Sequence, residues 1–219
     1  MTISFSSGVV NKLLAPGIAQ FVTCELPDIR PEYPESSHWL SNHFLNSAFR
    51  MQFGGSYRQY AINVLFRTQI CFGLYHEARE GTLSYLDGNS SHNPRVGRYF
   101  ALIARWEACL LNLQMFIDVF NKLNGETAFQ QGDGSAEERA YGIANVVKHW
   151  GGHIRAGMND GDDTIPLWIS DTALHTRTKQ LTFAELAQMM REIATVADEL
   201  QDPGNFQSTE LTEQRSSSD

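Results

Sequence analysis

Asn145 and His149 are the two residues of this 219-residue chain whose types and spacing best suit acid–base work on a charged substrate. They lie in the run Ser135-Ala-Glu-Glu-Arg-Ala-Tyr-Gly-Ile-Ala-Asn-Val-Val-Lys-His-Trp150. An imidazole titrates near neutrality and serves as general acid or base. An amide one helical turn earlier can orient that imidazole or its substrate. Ser135, followed three residues on by Glu138, predicts the start of a helix through a capping box. Ala140, Ile143, Ala144 and Val147 then form its apolar stripe. Asn145, His149, Glu138 and Gly142 fall on the opposite side, with Gly142 leaving space beside the polar pair. Such a face is usually just solvated; the functional alternative is a cleft or a subunit interface.

Three further residues are candidates for binding substrate. Lys148 adjoins His149 but points about 100° away on an ideal helix. Arg139 stands ten residues before His149, about 15 Å along the axis, too far to share one phosphate with it in a single straight helix. Glu107 sits midway along the preceding helix. It is either an exposed or paired carboxylate or a group that orients His149 or an arginine. His149 and His153 have a metal-ligand spacing, but Gly151-Gly152 predict a helix stop between them. Glu35-Ser-Ser-His38 is a lone Glu-x-x-His where a di-iron bundle needs two. Asp160 to Asp163 lacks the calcium-loop ligand pattern. No metal site and no cofactor is therefore expected.

The elements that must position these residues read as an all-α bundle of about five helices, with a small β-hairpin before the last. Residues 1–34 form an irregular arm, since Pro16, Pro27, Pro31 and Pro34 interrupt every candidate helix. Residues 35–201 form the helical domain. Its helices are predicted near 36–49, 56–79, 94–124, 135–150 and 182–200, with Leu83 to Pro94 a polar loop. Ile165–Ile169 and Leu174–Thr178 supply the hairpin. Thr182 and Glu185 form a second capping box. Residues 202–219 are a polar tail expected to be disordered. Trp39, Trp106, Trp150 and Trp168 are expected to anchor the core or an interface.

The segment Asn145-Val-Val-Lys148-His149, late in a helix of such a bundle, resembles the HEPN domains (higher eukaryote and prokaryote nucleotide-binding). The resemblance extends loosely over about residues 95–200, including Ile165-Pro-Leu-Trp168 and the capped final helix. The family signature is an arginine followed four to six residues later by histidine, commonly with asparagine directly after the arginine. Asn145 and His149 match the last two positions, whereas Ala144 stands where the arginine belongs. The resemblance implies metal-independent RNA cleavage in a toxin or phage-defence setting, at a composite site in a homodimer. His149 would be acid or base and Asn145 would orient. The cation would come from Lys148, from Arg139 of the second subunit, or from elsewhere. If none supplies it, the chain is a non-catalytic module that binds a partner protein or a nucleotide. An antitoxin is one such partner.

Charge and cysteine usage bound the remaining choices. The net charge of -8 is made up of -2 over residues 1–37, +4 over residues 38–106 and -10 over residues 107–219. All basic residues of the middle block are arginines: Arg50, Arg58, Arg67, Arg79, Arg95, Arg98 and Arg105. Any RNA surface is thus expected on the first half of the bundle. Cys24, Cys71 and Cys109 form no disulfide framework, which suits a reducing cytoplasm. Cys71 and Cys109 read as small core residues. No signal peptide and no membrane association is expected from the apolar patterning.

Overall fold

The computed structural model describes residues 6–18, 21–49, 56–87, 96–125, 127–157 and 164–202. Two long helices form the spine. These are α3 (Ser56–Asp87) and α4 (Val96–Asn124), about 48 and 44 Å long at the ideal rise. They run antiparallel, as Arg67 bonds Asn112 and Thr82 bonds Trp106. Their seam holds Tyr75, Tyr85, Tyr99, Leu102, Trp106 and Leu110, all buried. Cys71 and Cys109 meet there with sulfurs 3.9 Å apart, as small core residues should. Half of the apolar window of α4 is buried inside the bundle, although this helix is long and apolar enough to cross a membrane. A soluble bundle's core helix has the same composition.

The helix α7 (Phe183–Leu200) packs on this spine through Leu186, Ala187, Met190, Ala194 and Ala197. Its expected capping box is present in full. The Thr182 hydroxyl accepts from the Glu185 amide, and the Glu185 carboxylate accepts from the Thr182 amide at 3.0 Å. The shorter α2 (Trp39–Phe49) crosses the far end of α7. There His43 Nδ1 donates to the Leu200 carbonyl at 2.8 Å, and Asn46 donates to the Gln201 carbonyl at 3.0 Å. Both bonds satisfy carbonyls that the end of a helix leaves unpaired.

Several elements differ from the sequence reading. The arm contains a seven-residue helix α1 (Ser7–Leu13), which fits because the first proline stands at position 16. Val10, Ile18, Phe21 and Ile29 of the arm are core residues. The Tyr75 hydroxyl and the Arg79 guanidinium donate to its Pro27 and Leu26 carbonyls. The helix α3 continues through Leu83 to Asp87, because Tyr85 buries its ring against Phe21 and Tyr99. The hairpin is a three-stranded antiparallel sheet of β1 (Trp168–Ile169), β2 (Ala173–His175) and β3 (Gln180–Thr182). Pro166 lies outside it. Pro94, the Asp160–Asp163 turn and the tail beyond residue 202 lie outside the described residues.

One core group makes stability depend on pH. The His76 ring is only 3% exposed and packs edge-on against Phe72 and Tyr75, with its Nε2 buried and without a hydrogen-bond partner among the described residues. Burial, and then Arg30 and Arg79, push its pKa down from 6.5 to about 4, against the opposing pull of Asp28 and Glu80. Below pH 6.5 the unfolded chain takes up a proton that the folded chain refuses until about pH 4. Stability is therefore intact above 6.5 and falls as the pH drops through that window, by up to about 3 kcal/mol. Thermal midpoints of wild type and His76→Phe, measured from pH 7 to pH 4, should show a shallower decline in the variant. Parallel declines would exclude His76 as the cause.

Candidate functional site

The helix carrying the polar pair is α5 (Ala136–Lys148). Ser135 caps it as expected, accepting from the Glu138 amide at 3.2 Å. The Glu138 carboxylate does not close the box. It accepts instead from the Gly132 and Gly134 amides, both at 2.9 Å, because the glycine turn before α5 presents two free donors. Ala140, Ile143 and Ala144 are buried. The helix closes on His149, whose φ of -107° and ψ of 15° break the run, and its amide bonds back to the Asn145 carbonyl. Gly151-Gly152 do not stop the chain there. A short helix α6 (Trp150–Arg155) continues through them, with His153 bonded to the His149 carbonyl at 3.1 Å.

Asn145 lies against α4 rather than in open solvent. Gln114, 4% exposed, donates from Nε2 to Asn145 Oδ1 at 2.7 Å. One turn earlier the Tyr141 hydroxyl donates to Asp118 at 3.0 Å. Gln114 thus occupies the acceptor end of the Asn145 amide. The Nδ2 donor end makes no hydrogen bond among the described residues. Lys148 and His149 are exposed. The His149 ring makes no hydrogen bond and Lys148 makes no ion pair among the described residues. Continuing the antiparallel register of these two pairs puts Leu110 level with His149. Glu107 then lies about 4.5 Å further along α4. It is half-buried, and desolvation raises its pKa, favouring the neutral acid. No hydrogen bond joins Glu107 to His149.

Arg139 is engaged elsewhere. Its Nη2 meets Glu185 Oε1 at 2.5 Å, its Nη1 donates to the Gln180 carbonyl at 3.4 Å, and its Nε donates to Ser135 at 3.2 Å. It ties the start of α5 to the cap of α7. The space beside Gly142 is also taken. A Cβ on Gly142 would collide with the Lys179 stem and come within 3.1 Å of its Nζ. Lys179 therefore places an ammonium on the side of α5 that holds Glu138, Gly142 and Asn145. Sequence spacing did not reveal this residue, which comes from the turn before β3, nor Gln114, which sits on an apolar helix. The glycine at position 142 was the one available signal.

The site therefore offers an amide donor, an imidazole with no hydrogen bond among the described residues and two ammonium groups, beside the Glu138 carboxylate, whose pKa is lowered by the Gly132 and Gly134 amides and then by Lys179. That set suits an anionic oxygen better than a metal ion, and the described residues contain no group of three or more metal-ligating side chains. No family model, no curated protein and no solved structure matches the chain.

Proposed function

We propose that the chain is a HEPN-like protein that acts on RNA as a metal-independent endoribonuclease, working as a homodimer in a toxin or phage-defence setting. The observation that carries this reading is the state of Asn145 and His149. Gln114 fixes the amide so that its donor is unspent, and the imidazole one turn later has no hydrogen-bond partner among the described residues. Cleavage next to a ribose 2′-hydroxyl needs a base, an acid and positive charge on the phosphorane. His149 supplies one proton-transfer group. Its orienting partner comes from substrate or from a second copy, which supports a composite site. Ile154, 58% exposed on α6, gives that copy an apolar contact close to His149. Lys148 and Lys179 replace the missing arginine at Ala144. The cytoplasm is the expected compartment.

The reading is tested by incubating the purified protein with RNA in excess EDTA, where cleavage should persist. Gly142→Ala tests the cation. The new methyl displaces the flexible Lys179 stem, and alanine in a helix interior adds about 0.5–1 kcal/mol of stability over glycine. A variant with a raised thermal midpoint and slower cleavage is expected. Cleavage at the wild-type rate by both Gly142→Ala and Lys179→Ala would remove Lys179 from the site.

A second reading is favoured by the engagement of Arg139. If neither lysine serves, the fold is a binding module for a partner protein, such as an antitoxin, or for a nucleotide. It predicts no cleavage at any protein concentration and a stable complex with that partner.

A further inference from the structure

We propose that the groove between α3 and α4 at the level of Gly81 binds the phosphodiester backbone of the RNA strand, with Arg98 and Arg105 gripping separate phosphates. This rests on the reading that the protein acts on RNA. The groove measures about 470 Å³, and its polar lining is Glu77, Glu80, Ser84, Arg98 and Arg105. It lies in the arginine-bearing half of the chain, away from α5.

Three observations point to a phosphate ligand. First, the guanidinium of Arg105 is held over the α3 backbone. A Cβ on Gly81 would collide with its Nη1, so the missing side chain is what lets this arginine lie in the groove. Second, Arg98 and Arg105 are seven residues apart, on one face of α4 and separated by about 10.5 Å along its axis. Two phosphates of one strand can be met in that arrangement, each by a guanidinium that presents paired donors.

Third, neither arginine has a protein partner among the described residues, unlike their neighbours. Arg67 donates to Asn112 at 3.0 Å, Arg79 meets Asp28 at 3.4 Å, and Arg30 meets Glu80 at 3.0 Å. Arg30 thereby offsets one groove carboxylate. Among the described lining residues, Glu77 is then the remaining carboxylate beside Arg98 and Arg105. Tyr85 lines the groove but buries its ring against Phe21 and Tyr99. With no exposed aromatic side chain among the lining residues to stack a base, the groove reads backbone charge rather than sequence.

The test is binding of a short unstructured RNA by the full chain, followed by fluorescence anisotropy over a range of salt concentrations. Arg98→Ala and Arg105→Ala should each weaken binding by roughly tenfold and reduce the slope of log K against log salt by about 0.7. Gly81→Ala keeps both arginines but displaces one, so it should weaken binding like Arg105→Ala, while alanine in the interior of α3 raises the thermal midpoint rather than lowering it. Glu77→Gln should tighten binding. Wild-type binding that all these variants reproduce overturns the groove and leaves the nuclease reading standing. Arginine-dependent binding without cleavage keeps the groove and removes the nuclease reading. Failure of the wild type to bind RNA overturns both.

Discussion

His149→Ala is expected to lower RNA cleavage by about 10²- to 10⁴-fold, the usual contribution of a positioned acid or base, at an unchanged thermal midpoint. The two halves of that expectation come from the same geometry. The ring is exposed and makes no hydrogen bond among the described residues, so its loss leaves no cavity and no orphaned buried group there. Exposed substitutions of this kind stay within about 0.5 kcal/mol. His149 does close α5, but that role belongs to its backbone amide and carbonyl, which alanine retains. His153→Ala is the control, since this neighbouring histidine has no assigned part in the reaction. Cleavage that survives His149→Ala, or that is lost equally in His153→Ala, would sink the assignment. EDTA should leave the wild-type rate unchanged throughout.

Trp106→Ala carries the largest expected effect on stability. Its indole is fully buried at the centre of the spine. It lies 5.9 Å from the Tyr75 ring and 5.3 Å from the Phe183 ring, and Nε1 donates to Thr82 Oγ1 at 3.1 Å. Removing it empties the contact between α3, α4 and α7 together. Truncations of this kind cost about 3–5 kcal/mol, a large part of a total that is about 5–15 kcal/mol for most domains. The thermal midpoint should fall by on the order of 10 °C. Trp106→Phe should cost much less, because Thr82 keeps its own bond to the Ala78 carbonyl at 2.8 Å. Urea denaturation of both variants checks the order. A loss under about 1 kcal/mol for Trp106→Ala would mean that the three helices do not share this anchor.

Much of the architecture could be read from periodicity and caps. The stripe from Tyr99 to Ile117 marks α4 because one helical face is buried along its whole length. Thr182 and Glu185 mark the start of α7 because both partners of the box lie within one turn. Prediction failed where tertiary contact overrides local pattern. Leu83 to Asp87 read as loop because only Tyr85 there is buried, and the groups that bury it come from the arm and from α4. Gly151-Gly152 read as a stop, yet the break falls on His149, where no glycine stands.

The candidate site was legible only along its own helix. Asn145 and His149 were placed by spacing. Their surroundings depend on residues far away in sequence: Gln114 reaches Asn145 across 31 positions, and Arg139 is drawn to Glu185 across 46. No local pattern signals either pairing. Lys179 reaches α5 only because the sheet before α7 folds back across it. A glycine in the middle of a helix, at position 142, was the trace such an approach leaves in sequence.

The contacts between α2 and α7 also bear on the order in which the chain can fold as it is made. Asn42 bonds Gln201 across 159 positions, Tyr33 reaches the Arg191 carbonyl, and Arg191 chelates Glu32 in return. Early residues therefore find their partners only after nearly all of the rest has been synthesised. During translation α3 and α4 can pair while Trp39, His43 and the inner face of the arm still lack α7. A ribosome-tethered chain stopped before residue 183 should expose that apolar surface, bind chaperones and be readily proteolysed. Release of the final helix should close the domain in one late step.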